Sequence, residues 1–268
     1  MMSQEPQKTE FGASNPALTV DHEPWRRDML MWIVGVVIAI FFLYLSIGLL
    51  SNLVARQISD KQESRWFAGK KIVNLTGFEV SDGSDVADFS RCQELLGKLK
   101  TNNGLRQLPY NIFLASDKTP NAFAVPGGHI VVTQGLLDLV KSDMGLAMVL
   151  AHELGHHQFR DPLRGMGRSL SLSLIVSVFM GGQSTFVRLV MSLVNSSYSR
   201  EQELRADRFG LALVSSTFHR TAGAFEFFEK VSEHQTSRVH ELTSMLSTHP
   251  YAPDRIKALK ELEAALQK

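Results

Sequence analysis

The sequence predicts an α+β fold, mainly helical with a small sheet, behind one N-terminal transmembrane helix. Three observations carry that expectation. The run Met29–Leu50 contains no charged residue, and at about 1.5 Å per helical residue it is long enough for the roughly 30 Å hydrocarbon core of a bilayer. The stretches Val86–Lys100, Asp143–Phe159 and Arg255–Leu266 read as helices, bounded by caps or breakers. Between the first two lie short runs at Tyr110–Ala115, Phe123–Val125 and Ile130–Thr133, rich in β-formers and flanked by Pro, Gly and Asn, which read as strands.

In chain order, residues 1–28 form a tail rich in Pro, Gln and Glu, expected to be disordered. Residues 29–50 are the expected anchor, with Trp25, Trp32 and Tyr44 placed for the membrane interfaces. A signal peptide would have a shorter apolar run and no such polar tail before it, and a buried soluble helix would show a polar face. Residues 51–69 read as a polar connector, and residues 70–268 as the globular domain. Within it, Val86–Lys100 stops at Asn102-Asn103-Gly104, and Pro126-Gly127-Gly128 makes a tight turn between two strands. Ser169–Val194 is apolar but broken by Gly181-Gly182-Gln183-Ser184 and Arg188, which suggests a pair of buried or membrane-skimming helices.

Composition narrows the function. With 268 residues, 44% hydrophobic and 21% charged, the chain can bury one sizeable core, and a net charge of +1 argues against a nucleic-acid partner. The single cysteine, Cys92, cannot close an intrachain disulfide. It lies on a helix with no histidine near it in sequence, so it reads as a packed thiol.

The chemistry is concentrated in His152-Glu153-Leu154-Gly155-His156. On a helix, residues i and i+4 share a face, so His152 and His156 can put two imidazole nitrogens on one zinc ion. Glu153 then stands beside the metal's open position, where a carboxylate can take a proton from water. Ser142 or Asp143 can cap this helix and Asp161-Pro162 can stop it. A third protein ligand is needed. Glu203, in the segment Ser199–Asp207, is the candidate, with Asp207 one turn later as the carboxylate that orients His152. An isolated pair of this kind would read as a solvated helix face; its place downstream of the histidine motif reverses that. His157 points elsewhere on the helix and reads as structural, and His22, His129, His219, His234 and His240 have no ligand spacing.

Four segments together resemble zinc metallopeptidase family forty-eight: His152–His156, Ser199–Asp207, Asn121–Gly128 and Ser247-Thr248-His249-Pro250. The family includes prenyl-protein endopeptidases, HtpX-type membrane quality-control proteases, and periplasmic and mitochondrial inner-membrane relatives. The resemblance covers roughly residues 70–268. It implies a gluzincin-type endopeptidase holding one Zn2+ per chain on His152, His156 and Glu203, with Glu153 as the base. A single clear membrane segment separates this chain from the multi-spanning members, which argues against prenyl-protein processing.

Three readings depend partly on that likeness. An edge strand before the metal helix can hold a substrate as an added strand; Asn121, Ala122, Phe123 and Ala124 read equally as this strand or as an ordinary hairpin arm, and the resemblance favours substrate. His249 can donate to an oxyanion, occupy the metal's fourth position at rest, or be a capping or core histidine; Arg255 and Tyr198 are further candidates for an oxyanion donor. Arg255 stands in a helix's first turn, where a cation opposes the dipole and so calls for a partner. For orientation, Arg26 and Arg27 precede the apolar run and Arg56, Lys61, Arg65 and Lys70 follow it, a bias toward a cytoplasmic domain. Long domains translocate largely regardless of charge, and the single-anchor relatives imply an extracytoplasmic domain on a bacterial inner-membrane type of anchor. The expected activity is endopeptidase action on proteins or peptides, in quality control. Its rival is a zinc-bound scaffold or chaperone that binds unfolded chains, which would have no need of Glu153. A zinc hydrolase for small molecules fits the hairpin less well. The physiological substrate, oligomeric state and partner complexes leave no mark in the sequence.

Overall fold

The structure is a computed structural model and describes residues 23–69, 73, 76–81, 87–167, 198–234, 249 and 253–266. The stretch Ser169–Val194 lies outside the described residues, as do His22, His240 and the neighbours of His249 in its motif. Two compact units are present, residues 1–45 and residues 46–268.

Helix α1, Glu23–Gln57, begins earlier and ends later than the apolar run that suggested it. It carries exposed apolar side chains such as Leu30, Trp32 and Phe42. Among the described residues no helix combines the length, hydropathy and low charge needed to cross a membrane; the side chains of Tyr44, Ile47 and Gly48 lie outside the described residues. The connector expected at residues 51–69 is largely helical. It contains the last turns of α1 and helix α2, Asp60–Trp66, which starts at a capping box between Ser59 and Gln62.

A four-stranded sheet follows, in the order β1-β2-β4-β3. Its strands are β1 (Val80–Ser81), β2 (Asn111–Ala115), β3 (Ala122–Val125) and β4 (His129–Thr133). β2 and β4 run parallel with Ile112 opposite Ile130, while β3 pairs antiparallel with β4, Phe123 opposite Val131. Gly127 and Gly128, at φ +95 and +89, make the turn between β3 and β4, a backbone state that a β-carbon would strain. Among the described residues β3 is therefore an edge of the sheet, and its four residues are buried.

The helices are α3 (Ala87–Leu99), α4 (Gln134–Leu139), α5 (Asp143–Gln158), α6 (Arg200–Phe218), α7 (Glu226–His234) and α8 (Pro253–Leu266). α5 is the central one: every residue from Met144 to His157 is buried, as expected of a helix with apolar neighbours on all sides. Ser142 caps it by accepting from Gly145 N at 3.0 Å. Phe159 closes it and Arg160 turns left-handed at φ 59, after which residues 161–167 are helical again. Cys92 is fully buried in the core, and burial pushes its thiol up to about 12, so it is no nucleophile.

Candidate metal centre

Two glycines decide how closely α6 approaches α5. A β-carbon on Gly155 would stand 3.0 Å from the Ala206 backbone, and one on Gly210 would stand 2.9 Å from His152 N. With hydrogen alone at both positions the helices touch backbone to backbone. That contact brings the carboxylates of α6 against the histidines of α5.

His152 Nε2 and His156 Nε2 lie 3.1 Å apart. Glu203 Oε1 is 3.4 Å from His156 Nε2, and Glu203 Oε2 is 3.6 Å from His152 Nε2. His249 joins them, with Nδ1 3.3 Å from His152 Nε2 and 3.0 Å from Glu203 Oε1. These four buried residues offer ligand atoms that all lie within 4.8 Å of one another. Tetrahedral zinc with bonds of about 2.0–2.1 Å separates its ligand atoms by about 3.3 Å, which is the spacing seen here. Three imidazoles and a carboxylate are also a donor set that zinc accepts, so the residues fit the ion that the sequence implies.

The outer faces of the ligands are held as well. Asp207 Oδ1 lies 2.9 Å from His152 Nδ1. His156 Nδ1 lies 3.1 Å from Asp161 Oδ2, and Asp161 Oδ1 accepts from Gln202 Nε2 and Arg205 Nη2, each at 2.9 Å. Gln202 is also the residue that completes the capping box of α6 with Ser199. Arg255 forks onto Asp207, Nε to Oδ2 at 2.6 Å and Nη2 to Oδ1 at 2.8 Å, and its Nη1 is 2.8 Å from Glu203 Oε2. The structure thus places Arg255 as a partner of two site carboxylates. The Tyr198 ring stacks on His156, with centroids 3.9 Å apart.

Burial opposes ionisation of Glu203, yet the surrounding His249, His156 and His152 hold its carboxyl well below the usual range. Asp207 is lowered in the same way, burial being outweighed by Arg255 and His152. Burial disfavours a charged His156, but Asp161 and Glu203 raise it to about 10. His157, one residue on, is pushed down to about 3 by burial and stays neutral, its Nε2 3.0 Å from His129 O.

Glu153 differs from the other carboxylates. It is fully buried, and among the described residues neither of its oxygens has a hydrogen-bond partner. His249 Nε2 lies 3.7 Å from its Oε1. A cavity of about 30 Å³ opens beside it, with Met148, Val149, Phe227 and Phe228 on its apolar walls. β3, with Ala122, Phe123 and Ala124, packs against α5, and Asn121 just before it is buried with its backbone N–H donating to Thr133 Oγ1 at 2.8 Å.

The sequence reading missed Asp161. Asp161-Pro162 reads as a stop signal for α5, and nothing in local spacing says that the chain reverses at Arg160 and returns the carboxylate to His156. The available signal was an acidic residue just past the second histidine of the motif.

Residues 87–263 match the model of peptidase family M48, and the chain belongs to that family. Among similar proteins, mitochondrial metalloendopeptidase OMA1 of Schizosaccharomyces pombe is 30% identical over 172 residues, 62% of this chain and 50% of that protein. Metalloprotease LoiP of Escherichia coli is 28% identical over 183 residues, 65% of this chain and 70% of that protein. A protease HtpX homolog of Salinibacter ruber is 26% identical over 240 residues, 76% of this chain and 84% of that protein. The match thus spans only half the length of the OMA1 relative.

Proposed function

We propose that this chain is a membrane-anchored, zinc-dependent endopeptidase that cleaves proteins, in the manner of a quality-control protease. The observation that carries the reading is a four-donor cluster beside a buried glutamate with no hydrogen-bond partner among the described residues. His152, His156 and Glu203 hold the ion, and Asp207 and Asp161 orient the two imidazoles. Bound zinc supplies Lewis acidity toward a carbonyl oxygen and makes water easier to deprotonate. Glu153 takes the proton from the attacking water and passes it to the leaving amine. β3 offers its edge to an extended substrate; the likeness to the family supports this, and the burial of β3 means that the edge must be uncovered first. The apolar, exposed side chains of α1 and the uncharged run Met29–Leu50 support a single membrane anchor at residues 29–50. By its resemblance to single-anchor members of the family, the domain after the anchor is proposed to be extracytoplasmic. The domain boundaries proposed are a tail at 1–28, the anchor, a connector at 51–69 that packs with the globular part, and the peptidase domain at 70–268.

His249 is proposed as the resting occupant of the fourth position. Its Nδ1 stands among the other donors, where an attacking water has to enter. A zinc scaffold or chaperone is the second reading, and Glu153 separates the two. Glu153→Gln should keep the zinc and abolish cleavage of casein, with metal content read by elemental analysis; normal turnover in the metal-replete variant would defeat the mechanism. His249→Ala should raise proteolysis or self-cleavage at unchanged zinc content. A fall of about 10²–10³-fold would instead make His249 an oxyanion donor, and no change would leave it structural.

A further inference from the structure

Away from the metal centre a second buried charged cluster joins the segment after α1 to two parts of the catalytic framework. Arg106 is its hub. Its Nη2 lies 2.5 Å from Glu63 Oε2 and 2.7 Å from Asp60 Oδ1, and its Nη1 donates to the His157 carbonyl at 2.8 Å. The same loop adds main-chain ties, Arg106 N to Gln158 Oε1 at 3.1 Å and Gln107 N to Asp60 Oδ2 at 2.7 Å. On the far side, Glu63 Oε1 accepts from Gly127 N at 3.2 Å, in the β3–β4 turn. That turn rests directly on the end of α2: a β-carbon on Gly127 would stand 2.8 Å from Phe67 O, and His129 Nε2 is 2.7 Å from the same oxygen. The side chains of Glu63 and Arg106 are only 1% and 8% exposed.

A buried ion pair must satisfy its remaining hydrogen-bonding groups wherever it sits, and the partners it meets say which elements it fixes. This one reaches the last turn of α5, next to His156, and the turn from which β3 departs. We propose that Glu63 and Arg106 are positioning residues for the substrate strand, setting β3 against α5 so that a peptide paired to β3 presents its scissile bond at Glu153. This rests on the reading of β3 as the substrate edge. The physical demand is strict, because one residue along a strand is only about 3.3 Å and a misplacement of about 1 Å can cost on the order of 10²-fold in rate.

The test uses the full chain in detergent, with zinc content measured for every variant and two substrates. One is a long extended peptide able to pair along β3; the other is a short peptide confined to the scissile bond. Removing one partner alone strands a buried charge, so the informative variant is Glu63→Leu with Arg106→Met, in which Asp60 keeps Gln107 N and Arg160. The expected result is a KM for the long peptide raised about tenfold or more, with kcat for the short peptide and the zinc content as in the wild type. Arg106→Lys, which keeps the charge but not the fork, should fall between the two. Equal loss on both substrates, or a KM that returns to wild type along with the melting temperature, would overturn the proposal and leave a plain stabilising bridge. A separate control addresses the reading beneath it. N-methylation of alternate amides in the long peptide should raise KM in the wild type, and indifference to it would refute β3 as the substrate edge whatever the variants do.

Discussion

The two buried charged clusters of this protein differ in what they leave unsatisfied. Around Arg106, each carboxylate oxygen of Asp60 and Glu63 meets a guanidinium or a backbone N–H. Around His152 and His156, three imidazole nitrogens and a carboxylate oxygen crowd one point, while Glu153 keeps both oxygens, and His249 its Nε2, without a hydrogen bond among the described residues. Desolvating a polar group without a partner costs on the order of 1–3 kcal/mol. A cluster closed on itself holds elements together. A cluster with donors aimed at a common centre and a base to spare is suited to binding and reacting.

The sharpest way to break this contrast is to remove one ligand. Glu203→Ala should lose most of the zinc and with it the proteolysis, both measurable on purified protein; full occupancy in that variant would show that the third ligand lies elsewhere. Next in size is Arg106→Ala, which strands Glu63 in the interior. It should cost about 3–5 kcal/mol of stability, seen as a lower denaturant midpoint, whereas a shift within error would mean that water reaches the cluster. The smallest effect is in acid. Glu203 and Asp207 have lowered values in the folded chain, so the stability they lend is complete above the ordinary carboxylate range and disappears as pH falls through their depressed values. With chelator present, the melting temperature should begin to drop below about pH 4, at up to about 1.4 kcal/mol per pH unit for each proton taken up. A melting temperature unchanged down to pH 2 would contradict those lowered values.

Much of the catalytic framework could be read locally. A helix repeats every 3.6 residues or so, and hence His152 and His156, or Glu203 and Asp207, announce a shared face by spacing alone. Ser142, Ser199 and the Gly127-Gly128 turn are local signals of the same sort. The contacts made by the connector are not local in this way. Asp60, Glu63 and Arg106 are charged residues with no periodic partner, and only packing shows that α2 buries Glu63 against Arg106.

The sequence by itself marked α3, α5 and α8, the strands β2, β3 and β4, the pair of histidines with the glutamate beside the first, and the uncharged N-terminal run, because each is specified by neighbours within a turn or two of chain. The tertiary structure alone decided which distant groups meet. It brings α6 against α5 at Gly155 and Gly210, swings Asp161 back onto His156 through the left-handed Arg160, sets His249 among the metal donors, and joins Glu63 to Arg106. Such contacts depend on how faces pack and on which backbones can approach, and no repeat along the chain records that.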